Sequence, residues 1–255
     1  MSGRRDRRSR LASRAVQLGF VASVVLAWYL ATAYGHINRI LLPNPVNVWH
    51  ELKDVLASGE YLPDLRVTLT ELAVAFAISC ISGVTIGYII SRSAFLIRVF
   101  EPLLAGFYSV PVILFLPLYV LFFGLGPESK IALGTTISFF PIVLNTIAGF
   151  GYVDKIFITA ARSMGASDIQ MFRHVLLPAA FPVILTGLRI GFTVALLSIL
   201  GSETIASLAG LGHHIVSLAE AMEPARMFAY IAFAVAIAVL LNTVVSGLER
   251  RARRT

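Results

Sequence analysis

The stretch TAARSMGASDIQMFRHVLLP, Thr159 to Pro178, carries two arginines, an aspartate, a histidine and a mid-segment glycine between two long apolar runs. Just before it, Asp154 is placed to cap a helix over KIFITAARSM. In that helix Phe157, Ala160, Ala161 and Met164 recur at i, i+3, i+4 and i+7 and so share one apolar face. Gly165 stands where a helix C-terminus favours positive φ. Ser167 and Gln170 then form an S-x-x-Q capping box that opens a second helix, with Ile169, Phe172, Val175 and Leu176 on its apolar side. Pro178 is expected to break that helix before the next apolar run. The predicted product is helix, glycine turn, helix, with Arg162, Asp168 and Arg173 on the polar face. Two capped helices at a tight turn are more specified than a passive loop needs.

The flanks decide the fold class. The chain has 255 residues, of which 57% are hydrophobic and 14% charged, where a soluble domain carries roughly a quarter charged. A bilayer core takes about 20 apolar residues per helix. Six such runs lie near residues 15–35, 66–90, 100–124, 130–150, 180–208 and 227–248. Backbone groups find no water in hydrocarbon, so each run reads as a helix, and the runs are too long for barrel strands. The expectation is an all-α polytopic membrane protein with about six transmembrane helices and no sizeable soluble domain. The first run is longer than a signal-peptide core and is followed by no clear small-residue cleavage site, so it reads as a retained anchor. The single cysteine, Cys80, forms no internal disulfide and supports no cysteine-type metal cluster.

The formal net charge is +7, which raises nucleic-acid binding. The arginines crowd the two ends, in SGRRDRRSR and ERRARRT, and a basic tail beside an apolar run is a topology signal. With the N-terminus in the cytoplasm, fifteen lysines and arginines fall on the inner side and five (Arg39, Lys53, Arg66, Lys130, Arg226) outside. Both termini are then cytoplasmic, as an even span count requires. The chain divides into a basic tail over 1–14, a transmembrane domain over 15–248 containing the 154–178 segment, and a second basic tail over 249–255.

Between the first two runs, Asn47 is expected to cap a short outer helix over Val48 to Ala57, with Gly59 beyond its end and Trp49 and Tyr61 at the interface. Pro111 and Pro117 predict a bent third span, either lining a cavity or merely kinked. Ionisable groups inside spans are costly and face a cavity or a partner, so Glu203 is expected to line or gate a pathway. Arg189 precedes it by about 21 Å at 1.5 Å per residue, too far to pair within one copy, and it is expected near the cytoplasmic end in a structural or a gating role. Asn145 in the fourth span and Ser109 beside Pro111 are further pathway candidates. His213 and His214 are expected at the outer surface; no partner is evident near them in the sequence, so they are not read as a metal site.

The Thr159–Pro178 stretch resembles the cytoplasmic coupling motif of importer-type ABC transporter permeases, E-A-A-x3-G-x9-I-x-L-P. Thr159, Ala160 and Ala161 stand at E-A-A, Gly165 and Ala166 follow at the turn, and Val175, Leu177 and Pro178 stand at I-x-L-P. LLPNPVNVW, FFGLGPESKI, FFPIVLNTIAG, LPAAFPVILTGLRIG and AGLGHHI are similar to the nitrate/sulfonate/taurine subgroup, which also serves pyrimidine precursors and aromatic acids. The resemblance implies a coupling helix between spans four and five, and a translocation pathway for a small solute. It also implies a bacterial inner-membrane location, two copies of the chain forming a homodimer, and two ATPase subunits carrying ATP and Mg. The resemblance further implies that an extracytoplasmic binding protein delivers the solute. One departure is Thr159, where the family has a glutamate that seats the coupling helix in the ATPase cleft; threonine still offers a hydrogen bond.

No G-x-x-x-x-G-K-[ST] occurs, so the chain does not cradle ATP phosphates itself and binds no cofactor of its own. An ion-coupled secondary transporter is the alternative, but no internal repeat is visible and such a carrier needs no coupling segment. A membrane enzyme needs a clustered catalytic set, and the five histidines are scattered.

Overall fold

The computed structural model describes residues 2–35 and 41–252, with side chains from Val16 onward except Leu18. Arg39, Arg253 and Arg254, counted above for topology, and the end of the second basic tail lie outside these residues. The described residues are helical throughout their regular structure, with no strand among them. The chain forms two compact units. One comprises Met1–Glu60 with Ile215–Phe233, the other Tyr61–His214 with Ala234–Thr255.

The larger unit is built on three long helices, α3 (Leu62–Ser91), α6 (Pro127–Gly151) and α9 (Leu177–Ile205). Leu72 and Ala75 of α3 pack with Ala195, Leu196 and Ile199 of α9 at one end. At the other end Phe150 of α6 packs with Ala180 and Ile184 of α9, against Tyr88 of α3. Helices α3 and α6 therefore run parallel, and α9 runs against both. Close approach is made by small residues, as expected where lipid supplies no hydrophobic drive between helices. Two G-x-x-x-G pairs, Gly83/Gly87 and Gly187/Gly191, press onto α6 from either side. A β-carbon at Gly87 would stand 2.6 Å from Thr146 Cβ, and one at Gly187 2.5 Å from Asn145 Cβ.

Leu62–Ser91, Pro127–Gly151, Asp168–Ile205 and Pro224–Ala252 (α11) are each long and apolar enough to cross a membrane. The expected third span is broken rather than simply bent. Helix α4 (Ala94–Tyr108) ends, a 3-10 turn covers Val112–Phe115, and α5 (Leu116–Phe123) leaves at 74° to α4. Pro111 lacks an N–H and restricts Val110 before it, so the helix stops there. The first expected span falls on α1 (Ser2–Tyr34).

In the smaller unit the helix expected over Val48 to Ala57 starts earlier. Helix α2 covers Pro45–Ser58, and its cap is Asn44, whose side chain accepts from Val46 N at 2.9 Å. Asn47 lies inside the first turn. Proline at the first helical position is pre-set for a helix and holds the preceding residue extended, which makes Asn44 the cap. Gly59 closes α2 with φ 72° as expected. Trp28 Nε1 donates to Pro43 O at 3.0 Å, and its ring lies 5.9 Å from that of Phe228. Arg226 pairs with Glu60, which also accepts from the buried Tyr230 hydroxyl at 3.2 Å.

Candidate functional site

Two places in the larger unit concentrate polar and unusual backbone features. The first is the helix pair following α6. Helix α7 (Lys155–Ser163) is capped by Asp154, which accepts from Ile156 N at 2.9 Å. It ends on Gly165 at φ 78°, with Ala166 N donating to Ala161 O at 3.0 Å and Gly165 N to Arg162 O at 2.9 Å. That bond pair is a Schellman motif. Helix α8 (Asp168–Met171) opens with both halves of the Ser167/Gln170 capping box formed. Every joint of the segment is thus closed by a local hydrogen bond.

The apolar faces differ from expectation. Ala161 and Met171 are buried, but Phe157 is 60% exposed, Met164 81% and Ile169 79%, and Ile156 is exposed beside them. Phe157, Ala161 and Met164 share a face by spacing, yet only the small Ala161 packs inward while the two larger side chains on either side of it stay exposed. Thr159, Ala160 and Gly165 face solvent, Ala166, Val175 and Leu177 are half-buried, and Pro178 is exposed.

Pro178 does not break the chain's course either. A π-turn over Phe172–Leu176 links α8 to α9, with Leu177 N donating to Phe172 O, and the helix runs on from Asp168 to Ile205. The wider π-turn directly before Pro178 moves the preceding carbonyls clear of its ring. The Phe172 ring lies 5.3 Å from Tyr88 and 6.0 Å from Phe150, themselves 5.0 Å apart. This trio joins the helix pair to α3 and α6.

The second place is a buried polar cluster at the opposite end of α3, α6 and α9. Three consecutive amides, Gly210, Leu211 and Gly212, donate to Asp64 Oδ1 at 3.1 Å, Thr68 Oγ1 at 3.0 Å and Glu203 Oε2 at 2.8 Å. The Thr68 hydroxyl donates to Glu203 Oε1 at 2.7 Å. Helix α10 (Leu211–Glu220) begins there, so a carboxylate meets the free N–H groups and positive dipole of its first turn. Glu203, 1% exposed, is held by this network two residues before α9 ends. Gly210 (φ 105°) and Gly212 permit the approach, since a β-carbon on Gly212 would stand 2.5 Å from Leu200 O. Glu71 and Lys130 complete the cluster, both buried. The ammonium donates to Leu125 O at 2.6 Å and Gly126 O at 3.2 Å. The Glu71 carboxyl lies beside Glu203 and Lys130.

Asp64, Thr68 and Glu71 carry no local signal of this site and Lys130 only one of topology, although the rule that singles out Glu203 applies equally to Glu71, an acid inside an apolar run. His214, for which the sequence offers no evident partner, lies 3.1 Å from Asp64 Oδ2 through Nδ1. Arg189 sits 3.4 Å from Glu249, a buried acid of α11. Asn145 Nδ2 donates to Pro141 O at 2.8 Å within α6, and exposed Ser109 donates to Gly106 O at 2.7 Å where α4 breaks. Among the described residues no three His, Cys, Asp or Glu are grouped to hold a metal ion.

Residues 83–254 match the family of binding-protein-dependent transport system inner membrane components. The matched span contains both the helix pair and the Gly210–Gly212 turn. The chain is 31% identical over 241 residues to the taurine transport system permease protein TauC of Escherichia coli K12, covering 92% of this chain and 88% of that one. It is 29% identical over 230 residues to the putative aliphatic sulfonates transport permease protein SsuC of Bacillus subtilis strain 168, covering 90% and 83%. Its fold is similar to that in a crystal structure of an amino acid ABC transporter with histidines, with a TM-score of 0.61 at 21% identity over 80% of this chain and 97% of that one. The chain belongs to the binding-protein-dependent transport inner-membrane family and is a multi-pass, non-catalytic ABC permease subunit.

Proposed function

We propose that the protein is the permease of an ATP-driven importer in the bacterial inner membrane, taking up a small organosulfonate of the taurine or alkanesulfonate class. The observation that carries the mechanism is the helix pair over Lys155–Met171. Its joints are locally capped, it turns Ile156, Phe157, Met164 and Ile169 outward, and it continues through the π-turn into a spanning helix. Large apolar side chains displayed between charged ones call for a protein partner. A cytoplasmic ATPase subunit, which would bind ATP and Mg, is that partner. Thr159, Ala160, Ala161, Gly165 and Ala166 form the docking turn, and Val175, Leu177 and Pro178 its junction to α9. The excess of Lys and Arg on this side supports a cytoplasmic position for it and for both termini.

Closure of two ATPase subunits on a permease homodimer would push the rigid pair, and Phe172 would carry the displacement into α3 and α6. The pathway runs past the break at Ser109 and the α6 face at Asn145, with the Arg189–Glu249 pair near the cytoplasmic end. Glu203 holds the outer turn at Gly210–Gly212, where an extracytoplasmic binding protein would deliver solute. The sulfonate class rests on TauC and SsuC.

The test is reconstitution in proteoliposomes with the ATPase subunit and the binding protein. Labelled taurine or an alkanesulfonate is expected to accumulate only with ATP, and binding protein loaded with solute is expected to stimulate hydrolysis. Uptake driven by an ion gradient without ATP would overturn the reading.

A further inference from the structure

Helix α2 has three faces rather than two. At 100° per residue, Val48 and Val55 point one way and are buried, at 6% and 0% exposure. Asn47, His50 and Asp54 form a polar face. Between the two lies a stripe of Val46, Trp49, Lys53 and Leu56, spaced i, i+3, i+7 and i+10, in which Val46 is 48% exposed, Trp49 56% and Leu56 47%. The Lys53 ammonium lies 5.3 Å from the centroid of the Trp49 ring, within cation–π range, and has no carboxylate partner among the described residues.

The stripe does not end on α2. Trp49, Val46 and Pro45 form one wall of a groove of about 470 Å³, and Val25, Leu26 and Tyr29 of α1 form the other. These α1 residues belong to its apolar C-terminal part, which in a multi-pass membrane protein meets acyl chains. A groove continuous with a lipid-facing helix, with an indole at its rim and an unpaired cation above the indole, matches the parts of a phospholipid in order. Indoles favour the headgroup level, and an interfacial helix sinks its apolar face about 5–10 Å into the headgroup and acyl boundary.

We propose that the α1–α2 groove is a binding site for an anionic phospholipid. An acyl chain lies between Tyr29 and Trp49, and the phosphate is held by Lys53. The site selects for negative charge because Lys53 supplies a cation at the groove mouth.

The chain has two tryptophans, Trp28 and Trp49, so Trp49 can report on its own site. Full-length Trp28→Phe protein is reconstituted into nanodiscs of phosphatidylcholine containing either brominated phosphatidylglycerol or brominated phosphatidylcholine. Because Trp28 donates to Pro43 O, a Trp49→Phe chain gives the Trp28 signal, and subtraction from wild type yields the Trp49 signal without disturbing that bond. Brominated phosphatidylglycerol is expected to quench Trp49 at a severalfold lower mole fraction than brominated phosphatidylcholine. Lys53→Glu is expected to abolish the difference while leaving quenching by both lipids and the thermal stability intact. Equal quenching by the two lipids with Lys53 present would overturn the site. Absence of quenching by either would show that a protein rather than lipid covers the stripe, and would overturn it as well.

Discussion

Glu203 and Gly212 are in contact through both backbone and side chain: Gly212 N–H donates to Glu203 Oε2 at 2.8 Å, and a β-carbon on Gly212 would stand 2.7 Å from Glu203 Cβ. The carboxylate takes the Thr68 hydroxyl on its other oxygen. Glu203→Ala leaves two buried donors unpaired, at about 1–3 kcal/mol each, and is expected to lower the melting temperature in detergent markedly. Glu203→Gln keeps one good acceptor and should lose about half as much. Normal melting with uptake lost in Glu203→Ala would place the carboxylate in the pathway rather than in the fold.

Gly87 predicts the opposite kind of sensitivity, to added volume. A β-carbon there would meet Thr146 Cβ at 2.6 Å and Val143 O at 2.9 Å, neither of which is the loose end of a side chain. Helices α3 and α6 must part for Gly87→Ala, at a cost of about 1–3 kcal/mol for overpacking. Gly247, where a β-carbon meets nothing within 4 Å, is the control. There alanine is expected to stabilise its helix by about 0.5–1 kcal/mol. Thermal unfolding of the two variants side by side checks this, and equal behaviour would mean the two helices are not seated through their glycines.

What was legible in the sequence follows from how far each signal reaches along the chain. Asp154, Gly165 and the Ser167/Gln170 box act over two to five residues, and the structure forms all of them. The apolar runs mark the long helices for the same reason. Asn44 was also legible, since Pro45 names it, but Asn47 drew the reading because it precedes the apolar residues. The buried cluster was not legible as a unit. Thr68 meets Glu203 across 135 positions and Gly210 meets Asp64 across 146, and no local pattern encodes that pairing. The exposure of Phe157 and Met164 was hidden for a related reason: spacing puts them on the face of Ala161, and only long-range packing decides that Ala161 alone is covered.

Phe172 tests whether the helix pair moves with the bundle. Its ring meets Tyr88 and Phe150, and aromatic pairs contribute about 0.5–1.5 kcal/mol beyond buried area. With the proposed ATPase subunit present, Phe172→Ala is expected to keep basal hydrolysis while ATP consumed per solute imported rises severalfold. Phe172→Trp should restore the ratio, because an aromatic ring again spans the gap. A ratio unchanged in Phe172→Ala would move the transmission elsewhere along α9.

Gly165 separates a conformational requirement from a contact requirement. Its φ is 78°, while a β-carbon there would meet nothing within 4 Å of the chain itself. The cost of a side chain is therefore backbone strain, about 1–2 kcal/mol for ordinary residues in the left-handed region and less for asparagine, which visits it readily. If the turn only needs that φ, coupled uptake should fall in the order glycine, asparagine, alanine, valine, with the melting temperature of the bundle almost unchanged across the series. If instead the ATPase subunit approaches the bare backbone at Gly165, asparagine should uncouple hydrolysis from transport as severely as valine, because its bulk and not its torsion angle meets the partner. The position of asparagine in the series decides between the two, and Gly165→Glu should uncouple in either case.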